Sequence, residues 1–385
     1  MFYMIISIIL LLYFSLNYYI GSWFWDNMGY VMSFMNIEVY WSILFIIVLF
    51  SFVGVILNHY LPKFLQHRIY LLASYWLAAL TYFTICITSL NLINMLGVWF
   101  HLMPLQILSK GNDSFRIGLL VLITVSILLV YGTINAKNLR VTSYKLNIEK
   151  QAGSLKRVHI VLLSDIHLSD LKDKGMKKLV EKINGIKPDI VLFAGDIIDA
   201  NRDMAIYDFD SMQNHFKNVK SKYGIYASLG NHDYDHNGDS TNRIDNFEKA
   251  GINILRDSVI NIDKSFYIIG REDKFYERIN GAKRKELLEI MAGIDKNLPT
   301  IVLDHQPSNL EEPIKAGVDL QLSGHTHKGQ FFPFNLITKR VFKKDYGYLK
   351  IGNFQIIVSS GARTWGPPIR IGSKSEIVDI EIQFL

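Results

Sequence analysis

Val158-His159-Ile160-Val161-Leu162-Leu163-Ser164-Asp165-Ile166-His167 decides the fold of the second half of the chain. Its first six residues are mainly β-branched or aliphatic and read as a buried strand, with Ser-Asp-Ile-His as the loop that follows. The same construction returns twice. Ile190-Val191-Leu192-Phe193-Ala194 runs into Gly195-Asp196-Ile197-Ile198-Asp199, and Ile225-Tyr226-Ala227-Ser228-Leu229 into Gly230-Asn231-His232-Asp233. A single His follows in Leu303-Asp304-His305-Gln306-Pro307, and Gly324-His325-Thr326-His327 closes the series. A buried strand ending in a short loop presents its side chains at one edge of a sheet, where open α/β sheets collect ligands.

Any one of these motifs is weak alone. Asp196 and Asp199 can cap a helix, and Gly230-Asn231 is a turn signal. Their conjunction, in this order and mostly behind strands, is specific. It resembles the calcineurin-like metallophosphoesterases, whose five motifs are all present between Asp165 and His327. The donor chemistry agrees: carboxylates, neutral imidazoles and an Asn amide oxygen suit Mn, Fe or Zn better than a thiolate-loving ion. Two such ions about 4 Å apart bind a phosphoryl group, activate a shared water and stabilise in-line displacement.

The resemblance implies two divalent metal ions, with Mn favoured. Asp165, His167, Asp196 and His327 would hold the first; Asp196, Asn231, His305 and His325 the second, so that Asp196 bridges. His232 is implied as the general acid on the leaving group, Asp233 as the residue orienting it, and Asp199 as a partner that fixes a ligand. The expected activity is hydrolysis of a phosphoester or pyrophosphate bond. Glycines 195, 230 and 324 precede ligands, where backbone must approach closely. The remaining histidines, His59, His67, His101, His159, His215 and His236, read as surface, interfacial or core residues.

The first half is of another kind. Residues 1–135 contain only Lys63, Arg68, Lys110 and Arg116 as basic residues and Asp26, Glu38 and Asp113 as acidic ones. Apolar stretches near Met4–Tyr19, Val39–Leu57, Tyr70–Leu90 and Ile117–Asn135 approach or reach the roughly 20 residues of a membrane-crossing helix. The first lacks a basic start and a cleavage site, so it does not read as a signal peptide. Residues 69–109 carry no formal charge, and Asn91, Asn94, His101 and Pro104 suggest an interfacial or re-entrant segment, a fifth span being the alternative. Tyr18, Tyr19, Trp23, Trp25, Tyr40 and Trp41 suit a bilayer interface or packing between helices.

Lys63 and Arg68 follow the second span, and Lys137, Arg140, Lys145, Lys150, Lys156 and Arg157 follow the fourth. That bias puts both termini and the catalytic half in the cytoplasm; Lys110 and Arg116 weigh the other way. The single cysteine, Cys86, excludes an intrachain disulfide and thiolate metal sites.

The expected architecture is an N-terminal α-helical transmembrane region over 1–135, a linker and first strand over 136–156, and an α/β metallophosphoesterase domain over 157–385. That domain should have two facing mixed β-sheets flanked by helices. Val141–Ile148 alternates as a strand, Met176, Leu179, Val180 and Ile183 fall at helical spacing, and Thr241–Ala250 and Ala282–Met291 read as further helices. Asn253–Ile269 offers three short strands, and Tyr348–Ile351, Gln355–Ser359 and Glu376–Gln383 three more.

Ser323 to Gln330, Val358-Ser359-Ser360-Gly361 and Gly366-Pro367-Pro368-Ile369-Arg370 are similar to the bacterial membrane-associated branch, which includes phosphodiesterases and UDP-2,3-diacylglucosamine pyrophosphatase-like proteins. Lys328 stands where that branch commonly has Gly, and is read either as reaching a substrate phosphate or as pointing into solvent. Arg271, Arg363 and Arg370 are weaker candidates for anion binding, with surface solvation the favoured reading of each. The expected partners are the lipid bilayer and a phosphorylated small molecule or lipid-linked substrate; the mixed charge, near pI 9, does not argue for nucleic acid. A sensor or scaffold that has lost catalysis is the rival reading, and the complete ligand set speaks against it. A transporter would want charged residues within the spans.

Overall fold

The computed structural model describes residues 2–31, 35–100, 112–168, 173–199, 208–235 and 237–385. It forms two compact units, Met1–Thr133 with Gly366–Pro368, and Ile134–Trp365 with Ile369–Leu385.

The first unit is built on four helices: α1 (Phe2–Met28), α2 (Ile37–Ile56), α3 (Lys63–Trp99) and α4 (Asn112–Lys137). All four are long and apolar enough to cross a membrane. Their outward side chains, such as Ile9, Leu12, Phe45, Leu120 and Ile127, are exposed hydrophobics, the pattern that lipid rather than water accommodates. Where helices meet, small residues and paired polar groups make the contact. An added Cβ on Gly54 of α2 would lie 2.7 Å from Ala73 Cβ of α3. Trp76 Nε1 donates to Asn17 Oδ1 at 3.0 Å.

The interruption expected at Asn91 and Asn94 does not occur, because α3 runs unbroken for 37 residues to Trp99. Asn91 Nδ2 donates to Tyr19 OH at 2.7 Å, so its amide is satisfied without breaking the helix. His101, Pro104 and Lys110 lie outside the described residues. The aromatic residues pack between helices: Tyr18 stacks on Trp41, and Trp25 lies against Tyr40.

The second unit holds two six-stranded sheets. The first contains β1 (Arg140–Ile148), β12 (Glu376–Phe384), β2 (Arg157–Leu163), β3 (Ile190–Ala194), β4 (Ile225–Ser228) and β5 (Ile252–Ile254), in that spatial order. The second, in order, is β10 (Gly347–Ile351), β11 (Phe354–Val358), β9 (Leu320–Ser323), β8 (Thr300–Leu303), β7 (Phe266–Gly270) and β6 (Ser258–Ile262). Both are mixed. In the first, β2 to β5 run parallel and β12 pairs antiparallel to β2; in the second, β7, β8, β9 and β11 run parallel between antiparallel edges.

Alternation along the strands separates two cores. Val158, Ile160 and Leu162 of β2 join Ile301, Leu303, Leu320 and Leu322 in the core between the sheets. Val161 and Leu163 face the other way, onto Met176, Leu179, Val180 and Ile183 of α5 (Asp173–Ile186). On the far side, Val302 and Ile356 pack with Leu287 of α9 (Leu287–Ile290) and Ala316 of α10 (Glu311–Ala316). The result is a helix–sheet–sheet–helix sandwich. The helices α6 (Phe209–Phe216), α7 (Thr241–Lys249), α8 (Lys274–Asn280) and α11 (Phe334–Val341) complete the unit.

The helix expected over Ala282–Met291 is only the single turn α9. Residues before it are held in an irregular path: Arg284 and Lys285 N–H donate to Glu277 and Asp257 carboxylates, and Arg271 Nη2 donates to the Lys285 carbonyl. Arg271 itself corrects a second expectation. It is 1 % exposed and paired with Glu312 at 2.9 Å, not solvated. Burial of a guanidinium requires such partners, and Glu312 lies 41 residues away in sequence.

Candidate metal centre

The carboxyl ends of β2, β3, β8 and β9 and the loop after β4 converge, and each delivers one motif. The loops are laced together by main chain: Asp165 N–H donates to the Gly195 carbonyl at 3.1 Å, Ile166 N–H to Asp196, and Gly324 N–H to His305. Asp165, His167, Asp196, His325 and His327 all have positive φ, between 45° and 69°. Non-glycine residues rarely occupy this region, and such concentrated strain is characteristic of functional sites. The glycines make the close approach possible. A Cβ on Gly230 would fall 2.2 Å from Asp196 Oδ1, and one on Gly324 only 1.7 Å from Ser164 Oγ.

Two groups result: Asp165, His167 and His327, and Asp196, His305 and His325, the ligand atoms of each lying within 4.8 Å of one another. Within the first, His167 Nε2 is 3.4 Å from His327 Nε2, and His327 Nε2 is 3.1 Å from Asp165 Oδ1. Within the second, His305 Nε2 faces Asp196 Oδ2 at 3.1 Å yet makes no hydrogen bond. Asn231 Oδ1 joins that group, 2.9 Å from His325 Nδ1. All seven ligands expected from the sequence are thus brought together.

Outer contacts aim the rings. His305 Nδ1 meets the Ala194 carbonyl at 2.7 Å, leaving Nε2 for the pocket. His167 Nδ1 lies 2.6 Å from Asp199 Oδ1, the arrangement that orients a ligating imidazole. The Arg370 guanidinium, 0 % exposed, reaches His327 Nδ1 and the carbonyls of His327, Ser360, Gly361 and Arg363. Its expected place on the surface is therefore wrong. With Ser373 Oγ, six acceptors surround the two terminal nitrogens of a group that burial would otherwise exclude, and nothing local in Pro367-Pro368-Ile369-Arg370 announces them.

Asp233 is buried beneath the site. Its Oδ1 accepts from Ile197 and Ile198 N–H, and its Oδ2 from Gly230 N–H, so both oxygens clamp main chain rather than the His232 ring. His232 N–H donates to Asp196 Oδ1 at 2.8 Å, while its ring stands edge-on to His167 and near Trp365. Lys328 neither reaches the pocket nor hangs in solvent. It has φ 51°, the conformation a glycine would take, and its Nζ lies 4.5 Å above the Tyr346 ring. His159 and His215 pair with Asp379 and Asp173 outside the site; His236 lies outside the described residues.

The electrostatics ask for cations. Burial would raise Asp165, but His327, His305 and His167 hold its carboxyl well below the usual range, and Asp196 is likewise lowered, chiefly by His305. Burial would strip the proton from His167 and His305, yet the carboxylates around them raise both, His167 to about 9. The carboxylate charge that raises these histidines is the charge that two divalent ions would meet. Buried hard and borderline donors and this charge demand both fit a dinuclear site.

The family profile for calcineurin-like phosphoesterases matches residues 158–329. An uncharacterised metallophosphoesterase of Campylobacter jejuni is 31% identical over 287 residues, covering 72% of this chain and 74% of that one. The chain belongs to the calcineurin-like metallophosphoesterases. An Aquifex aeolicus metallophosphoesterase, also uncharacterised, is 31% identical over 257 residues, 66% of this chain and 95% of its own. A Danio rerio transmembrane protein with a metallophosphoesterase domain is 28% identical over 285 residues, covering 71% and 64%. With four membrane-length helices ahead of its catalytic fold, this metallophosphoesterase is a multi-pass, membrane-anchored, metal-dependent hydrolase.

Proposed function

We propose that Asp165, His167, Asp196 and His327 hold one divalent ion and Asp196, Asn231, His305 and His325 a second, manganese being the favoured pair, for hydrolysis of a phosphoester or pyrophosphate bond. The observation that carries this reading is Asp196. Its Oδ2 faces His305 and its Oδ1 accepts from the N–H of His232, and its charge acts on His305 of one group and His167 of the other, which supports a bridging role. When bound, such a pair supplies Lewis-acid charge to the phosphoryl oxygens and acidifies water. The protein's own part is to hold the ligand rings, through Asp199, the Ala194 carbonyl and Arg370, and to deliver a proton. His232 is the general acid on the leaving oxygen: burial lowers its pKa, so the proton it delivers is held by the opposing charge of Asp196 and by an anionic substrate beside it. Asp233 positions it through the main chain of the Gly230 loop.

The substrate class that best suits an anchored enzyme is a lipid-linked or membrane-proximal phosphate, because tethering raises local concentration. Likeness to the bacterial membrane-associated branch supports phosphodiester or pyrophosphate cleavage. The Lys and Arg residues after the second and fourth spans support a cytoplasmic catalytic domain, and the division at 1–135, 136–156 and 157–385 accompanies this reading.

The test is hydrolysis by the full chain in nanodiscs, stripped of metal and reloaded with Mn, Fe or Zn. Bis-p-nitrophenyl phosphate, p-nitrophenyl phosphate and a UDP-sugar lipid are compared, with Asp196→Asn as the blank. Turnover that needs metal and vanishes in the blank supports the assignment, and the preferred substrate selects the bond. Two bound ions without turnover on any of the three would overturn it.

A further inference from the structure

The helix α11 is built inside out for a water-soluble surface. Phe334, Leu336, Ile337 and Val341, with Phe332 just before it, are between 39 % and 69 % exposed, and none of its eight residues is buried. Positions 334, 337 and 341 share one helical face. Thr338, one turn on from Phe334, has its hydroxyl occupied within the unit, Oγ1 donating to Asp345 Oδ2 at 2.9 Å. A surface helix ordinarily shows the opposite arrangement, with apolar residues inward. Charge accompanies the apolar face: Lys339, Arg340, Lys343 and Lys344 fall within Phe331–Lys344, a stretch that contains no acidic residue.

We propose that Phe332 and the apolar face of α11 dock into the head-group layer of an anionic bilayer. Apolar side chains flanked by lysine and arginine are the composition of interfacial helices, the aromatic and aliphatic groups entering the acyl boundary while cations meet lipid phosphates. A bilayer is the partner this chain already engages, through four helices long and apolar enough to cross one. A second copy is the poorer occupant: eight helical residues span about 12 Å, too little for the roughly 1,000 Å² that a stable interface buries.

The docked helix is joined to the metal centre. A Cβ on Gly329 would lie 2.2 Å from Asn335 N of α11, so the turn after His327 packs directly on the helix. Thr326 Oγ1 donates to the Asp345 carbonyl at 2.6 Å, and the His325 ring stands 6.1 Å from Phe342. Lipid contact at α11 therefore sets the attitude of the fifth motif toward the bilayer surface. The docking itself is independent of the hydrolase reading and is read out without substrate.

The experiment uses the full chain with Cys86→Ser, carrying Ile337→Cys or Val341→Cys labelled with a bimane fluorophore, in nanodiscs of one part phosphatidylglycerol to three parts phosphatidylcholine. Glu248→Cys on α7, an exposed position, is the comparison. Nitroxide lipids should quench the α11 labels at least about threefold more than the α7 label, and aqueous iodide should quench them less. Lys339→Glu, Arg340→Glu, Lys343→Glu and Lys344→Glu together should remove most of that lipid quenching. Iodide quenching at α11 equal to that at α7, with no lipid quenching, overturns the proposal. Protection from both quenchers also overturns it, and would assign the face to protein.

Discussion

His167 Nδ1 and Asp199 Oδ1 lie 2.6 Å apart, which turns the opposite nitrogen of the ring to within 3.4 Å of His327 Nε2. Burial disfavours a charge on His167, but Asp199, then Asp196 and Asp165, carry its pKa up to about 9. A ring nitrogen that is to ligate a metal must first lose its proton to the solvent.

Metal uptake should therefore release protons. The folded pKa of His167 lies above the ordinary 6.5, so its charge stabilises the metal-free protein below that value and the contribution is lost as pH rises toward about 9. Metal affinity should run the other way, rising over the same interval. Calorimetry in buffers of differing ionisation heat measures the protons released. Asp199→Asn should release fewer, and should weaken metal affinity about 10–100-fold; an unchanged proton count would contradict the role given to this pair.

Asp196→Asn should remove turnover while leaving the catalytic unit folded, because Asn retains the Oδ1 acceptor for His232 N–H. Metal content, counted by mass spectrometry, should fall for both ions together. Loss of one ion alone would argue against a bridging position.

His232→Ala should keep both ions and slow cleavage according to the leaving group. Alkoxide leaving groups should lose roughly 10²–10⁴-fold, whereas p-nitrophenolate, which needs no proton, should lose far less. A uniform loss across a leaving-group series would exclude His232 as the acid.

Arg370→Met should destabilise the fold more than a surface change, since the buried carbonyls of His327, Ser360 and Arg363 lose their donor. Each orphaned acceptor costs about 1–3 kcal/mol. Differential scanning calorimetry with and without metal should show the deficit in both states. Arg370→Lys should recover only part of it, because one ammonium cannot reproduce the planar fork.

The site was readable from sequence because each ligand stands immediately beyond an apolar strand, and strand ends are local features. The membrane helices were readable for the same reason, through length and composition. What escaped depends on partners distant in sequence. Arg271 meets Glu312 and Arg370 meets His327, so neither burial follows from neighbouring residues. The helix α11 was missed because eight residues with apolar side chains outward give no core-facing period. Asn91 looked like a break because its acceptor, Tyr19, lies on another helix.

In the first sheet, β12 is wedged between β1 and β2, pairing with Arg140–Ile148 on one side and with Arg157–Leu162 on the other. Residues 376–384 therefore leave the ribosome after every motif has been made, yet they complete the sheet that carries Asp165. While that strand is missing, the nascent chain has its bilayer anchor and all its ligands but an open seam through the middle of the supporting layer. A chain cut before residue 376 is therefore expected to keep its membrane helices and every ligand yet to lose metal-dependent turnover, because the sheet beneath Asp165 is left split.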